Sequence, residues 1–118
     1  MAPELFPHET IRDYQDILLE TIAGCIEDDK DLVAHAPTGL GKTAASLAAT
    51  LSNHLNTKKK IVFLTSMHTQ HEIALETIKE IRKEHGVKIV GVDVIGKKHL
   101  CLQPGVKSLS SSEFAEYC

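Results

Sequence analysis

D-L-V-A-H-A-P-T-G-L-G-K-T, Asp31 to Thr43, is the stretch on which the reading of this chain turns. An apolar run bounded by acidic residues reads as a buried strand. It ends in a Pro-Thr-Gly turn, and the residues after the turn carry a helical pattern. Strand, glycine-rich turn and helix in that order are the context that gives a G-x-x-x-x-G-K-[ST] match its meaning. Gly39 and Gly41 let the backbone approach an anion and adopt turns that a side chain forbids. The N–H groups from Gly39 to Thr43, with the helix N-terminus behind them, would cradle phosphate oxygens. Lys42 would place its charge on the β- and γ-phosphates, and the Thr43 hydroxyl would ligate Mg²⁺. Thr38, Gly39, Leu40, Gly41, Lys42, Thr43 and Ala44 form the candidate set for the phosphates of ATP. The first position of the general pattern is Ala36 here, where Gly is usual.

Working outward, Ile11, Tyr14, Leu18, Ile22 and Ile26 recur at steps of three and four and predict an amphipathic helix over 11–27, with Thr10 as its N-cap. After the loop, Ala44, Leu47, Ala48, Leu51 and Leu55 predict a second helix. Lys58, Lys59 and Lys60 stand just past its end, where positive charge suits the helix dipole. I-V-F-L-T (61–65) is a second strand candidate. Thr69 to His85 is a third helix with Ala74, Ile78 and Ile81 on one face, closed by Gly86. V-K-I-V-G-V-D-V (87–94) is a third strand candidate. Beyond Gly96 the periodicity stops and loop with one short helix is expected. The alternation of helix and strand predicts an α/β fold: a partial P-loop, RecA-like parallel sheet with flanking helices, left incomplete. Residues 1–96 read as the N-terminal part of that domain and 97–118 as the start of a further loop.

With 118 residues and 42% apolar content, the chain has material for one small core, which must be aliphatic because aromatics are 4% and Trp is absent. The formal charge of −3 excludes a free-standing basic nucleic-acid module, so nucleic-acid contact is expected to be local. No secretory leader and no apolar run of membrane-spanning length is present. The expectation is an intracellular protein, cytoplasmic if prokaryotic or archaeal, without membrane contact. Three Cys in that setting point to core, catalysis or metal before disulfides. Cys25, between Ile22 and Ile26, reads as a core residue.

Three further places, with the A-P-T-G-L-G-K-T form of the loop, carry a family resemblance. R-D-Y-Q, Arg12 to Gln15, precedes the loop; T-S-M-H-T-Q, Thr65 to Gln70, follows the second apolar run; G-K-K-H-L-C ends at Cys101. Together they resemble the opening of the XPD/DinG group of superfamily 2 iron–sulfur DNA helicases. The resemblance implies that Gln15 reads the adenine edge with Arg12 beside it. It implies that Thr65, His68 and Gln70 lie against single-stranded DNA. Ser66 and Met67 depart from the family's Arg and Thr there. Cys101 and Cys118 correspond to two thiolates of a [4Fe–4S] cluster, an incomplete set because the cube takes four. ATP, Mg²⁺, the cluster and single-stranded DNA are thus the implied cofactors and partner.

H-x-x-H-E at 68–72 does not make a zinc-protease helix, since Leu75 stands where H-E-x-x-H needs its second His. No D-E-x-H motif follows, and Asp93 is not followed by Glu, so no catalytic residue is assigned and this chain is expected to lack productive hydrolysis by itself. Two alternatives stay open at this point: a P-loop NTPase of another class, or a nucleotide-binding or redox fragment without enzymatic activity.

Overall fold

The computed structural model describes residues 5–117. In chain order it has α1 (Gln15–Glu27), α2 (Lys42–Thr57), α3 (His68–His85), the single turn α4 (Lys97–Leu100), a 3₁₀ turn (Val106–Ser108) and α5 (Ser111–Tyr117).

The helix α2 is the centre of the core because its two sides carry different residues. Small Ala44, Ala45, Ala48 and Ala49 let α1 approach, where Leu19 is buried among them with Phe6 and the half-buried Leu18 and Ile22. The larger Leu47 and Leu51 face α3 and meet Ala74, Ile81, Ile89 and Leu5. The N-terminal segment thus plugs both interfaces, and the His85 ring nitrogen Nε2 lies 2.7 Å from the Phe6 carbonyl. α3 ends at Gly86, whose φ of 63° closes the helix in the left-handed region with its N–H on Arg82 O.

The predicted parallel sheet is not formed. Among the described residues there is no strand, and the three candidate runs at 31–36, 61–65 and 87–94 are joined by no backbone hydrogen bond. The Ile61 and Val87 segments are not paired with each other either. The physical reason lies in where each element finds its hydrogen bonds. A helix satisfies its own N–H and C=O groups four residues away, whereas a strand is defined by a neighbour. Without that neighbour the run 61–65 shows only an alternation of exposure: Ile61 and Phe63 are 37% and 40% exposed, Val62 and Leu64 79% and 86%. Val33 is 99% exposed.

The openness shows in the whole molecule. Its accessible surface is 9011 Å², against about 6,300 Å² for a compact monomer of this mass. Its radius of gyration is 17.3 Å, against about 13–14 Å for a compact chain of this length. No helix among the described residues is long and apolar enough to cross a membrane.

α1 also departs from its predicted register. Tyr14, expected on the buried stripe, is 73% exposed and sits at φ 66°, and Ile11 lies outside the helix. The helix begins at Gln15 and not after Thr10. The buried positions are Gln15 and Leu19, because the contact surface is the Ala side of α2 and two adjacent leucines offered a choice of face. Leu55, expected on the α2 stripe, is 40% exposed near the helix end.

Candidate nucleotide-binding site

The turn between Ala36 and α2 owes its path to two glycines. Gly39 has φ 87° and Gly41 φ 80°, both in the left-handed region that L side chains disfavour by about 1–2 kcal/mol. Gly41 is also the N-cap of α2, with Ala45 N donating to its carbonyl at 3.1 Å. The first N–H groups of α2 therefore have no helical acceptor and open onto the loop. Lys42 arches back over the turn, its Nζ donating to Ala36 O at 3.2 Å and Pro37 O at 3.0 Å. An incoming phosphate would offer that ammonium a charged acceptor in place of two neutral carbonyls. Thr43 is half-buried on the first turn of α2. The Ala44 side chain belongs to the α1–α2 core, which leaves its backbone as the part that faces the loop's chemistry. Thr38 is exposed and Leu40 half-buried.

The start of α1 is fastened to this turn. Arg12 Nη1 donates to Gly39 O at 2.6 Å, and Gln15 Nε2 donates to Gly41 O at 3.3 Å. The other end of the Gln15 amide, Oε1, accepts from Arg12 N at 3.0 Å. Gln15 is 2% exposed. A Cβ on Gly41 would stand 2.5 Å from Gln15 Nε2, so the position excludes side chains by space as well as by φ. The family resemblance singled out Gln15 but gave no sign that it would be buried against a residue 26 positions away.

Thr65, His68 and Gln70 lie at the entry to α3. The Thr65 hydroxyl donates to Met67 O at 3.4 Å, and Gln70 N donates to Met67 O at 3.1 Å. The His68 ring lies 4.9 Å from that of His99 and 5.9 Å from that of His71. α4, which precedes Cys101, is thereby brought against the start of α3. His71 Nδ1 meets Asp93 Oδ1 at 2.6 Å, an interaction that 22 residues of separation hid from pattern reading. Both line a cleft of about 300 Å³ between α2, α3 and the runs 61–65 and 89–93. Thr65, His68 and Gln70 make no hydrogen bond to the Gly39–Thr43 turn.

Cys101 is half-buried and its thiol is free, as is that of Cys25. Cys25 is thus at the border of the core and not inside it. Cys118 lies outside the described residues. Among the described residues no three His, Cys, Asp or Glu side chains gather as a metal site would require. One thiolate does not make an iron–sulfur site, so these residues by themselves do not fit a cluster.

A family model of the DEAD/DEAH box helicases matches residues 12–104. The chain belongs to the DEAD/DEAH box helicase family. The matched span takes in Arg12 and Gln15, the glycine turn, the α3 entry and Cys101. The chain is similar to a protein of Methanocaldococcus jannaschii named as a probable ATP-dependent helicase, at 29% identity over 106 residues. That match covers 89% of this chain and 16% of the archaeal protein, so the chain spans about a sixth of its relative's length. No solved structure matches the chain.

Proposed function

We propose that this chain is the ATP-binding portion of an ATP-dependent DNA helicase, with Thr38 to Ala44 around the phosphates and Thr43 on Mg²⁺. The observation that carries the proposal is the turn itself. Gly39 and Gly41 sit in left-handed backbone, Gly41 opens α2, and the Lys42 ammonium closes over the loop it would share with a phosphate. Membership of a helicase family agrees with it. Hydrolysis and movement along nucleic acid are proposed for the protein of which this is the nucleotide-binding part. No D-E-x-H acid is present here to hold Mg²⁺ or orient water.

The proposal extends to single-stranded DNA as the partner, held at Thr65, His68 and Gln70. Short hydroxyl and amide groups at a helix entry contact phosphates without reading sequence. It extends also to Cys101 and Cys118 as two cluster thiolates, supported by the G-K-K-H-L-C stretch and the resemblance to the XPD/DinG group. No step of nucleotide binding passes through that cluster.

The test is Mg·ATP titrated into the full chain and into Lys42→Ala. Removing the cation should weaken binding about 100-fold, the order expected for losing charged hydrogen bonds to two phosphates. Equal affinities would overturn the assignment of this loop.

A further inference from the structure

The cleft between α2, α3 and the runs 61–65 and 89–93 is separate from the nucleotide site, since no residue of the glycine turn lines it. Its volume is about 300 Å³, against about 30 Å³ for each water in the liquid. Leu47 and Leu51 of α2 and Leu75 and Ile78 of α3 line its helical side, and Ile61 and Phe63 line it from the extended chain. The two extended runs share no backbone hydrogen bond, so nothing in the ladder of one holds the other closed over this space.

The polar lining residues come from the ends of their elements: Thr65 closes the run 61–65, Asp93 the run 89–93, and His71 lies on the first turn of α3. His71 Nδ1 and Asp93 Oδ1 meet at 2.6 Å. A carboxylate only accepts, so Nδ1 is the donor and Nε2 of the neutral ring is left as an acceptor. Among the described residues, Asp93 Oδ2 and His71 Nε2 have no hydrogen-bond partner. The two side chains are 32% and 24% exposed, which leaves both atoms within reach of a ligand. The other ionisable neighbour is His68, whose ring lies 5.9 Å from that of His71, and no Lys or Arg lines the cleft. An apolar space that ends in a carboxylate and unmatched acceptors, with no cation of its own, complements an apolar body with a donor-only, positively charged head.

We infer that this cleft is a second binding site, for a small organic cation: an aromatic or branched aliphatic body carrying an amidinium or ammonium group that donates to Asp93 Oδ2. The site does not depend on the phosphate-binding reading of the glycine turn, and either can fail without the other.

The experiment titrates the full chain with three probes of similar size, benzamidine, benzyl alcohol and benzoate, and follows side-chain methyl resonances. Benzamidine should shift the methyls of Leu47, Leu75 and Ile78 saturably and bind at least about tenfold tighter than benzoate, whose charge repeats that of Asp93. Asp93→Asn should weaken benzamidine about tenfold and leave benzyl alcohol unchanged. Because Asp93→Asn also removes the tie between the third run and α3, Leu75→Trp supplies an independent check. It places a large ring in the cleft at a half-buried position and should abolish binding of all three probes. Equal affinities for benzamidine and benzoate, or benzamidine affinity unchanged in either variant, would overturn the inference. So would the absence of saturable shifts. Displacement of benzamidine by Mg·ATP would put the probe on the glycine turn and overturn it as well.

Discussion

The region from Arg12 to Thr57 and the region from Ile61 to Val94 contain similar proportions of apolar residues but use them differently. In the first, α1 and α2 close on an Ala-lined interface, and buried Gln15 fastens the glycine turn to the helix beside it. In the second, α3 is packed on one side, while Val62, Leu64, Val90, Val92 and Val94 stay more than three-quarters exposed. Helices close their own hydrogen bonds and need only a face to bury. Extended runs need a neighbour's backbone as well. The site with the most defined geometry accordingly lies in the helical half, where the carbonyls of Gly39 and Gly41 each have a donor from the start of α1.

The largest expected effect separates the two regions by stability. Leu19→Ala removes a side chain that is 1% exposed within the α1–α2 core and should cost about 2–5 kcal/mol. Leu64→Ala, at 86% exposure, should change stability by less than about 0.5 kcal/mol. Denaturant titration of both variants checks this, and equal losses would erase the distinction between the regions.

Gly41→Ala comes next. The left-handed backbone alone disfavours the change by about 1–2 kcal/mol, and the new Cβ would meet Gln15 Nε2 at 2.5 Å. The variant should melt at lower temperature and lose ATP affinity together. Gly24→Ala, where nothing lies within 4 Å of the new atom, should do neither.

These contrasts also show what could be read in advance. α2 and α3 were legible because their apolar stripes run at helical period and Gly86 stands at the end. The glycine turn was legible because its residue types have few other uses. The face of α1 was not, since Leu18 and Leu19 are adjacent and the choice between them is made by the alanines of α2. Nor was the burial of Gln15, a polar residue whose partner lies in another element. The runs at 61–65 and 87–94 were read as strands from their β-branched residues, and neither forms one. Their pairing was not, because a ladder is a property of two segments and the sequence of each describes only one.

The smallest effect concerns the C-terminal end. Ser110 and Glu113 form a reciprocal cap on α5, with Ser110 N on Glu113 Oε2 at 2.7 Å and Glu113 N on Ser110 Oγ at 3.3 Å. Hydrogen bonds from the Ser110 hydroxyl, and then from its backbone N–H, hold the Glu113 carboxyl below its ordinary value. A depressed carboxylate stabilises its helix above the unfolded-state pKa and loses that contribution as pH falls through the folded-state value. The Ser110 amide resonance should therefore move on acidification below the usual carboxylate range. In Glu113→Gln it should not follow that titration.

The central claim is that the N–H groups behind Gly39 and Gly41 receive phosphate, and the most direct measurement is the amide spectrum of the full chain during titration with Mg·ATP. The account predicts saturable shifts centred on Gly39 to Thr43, reproduced by tripolyphosphate and absent in Lys42→Ala at the same concentrations. Saturable ATP binding that leaves Gly39 to Thr43 unmoved would contradict it.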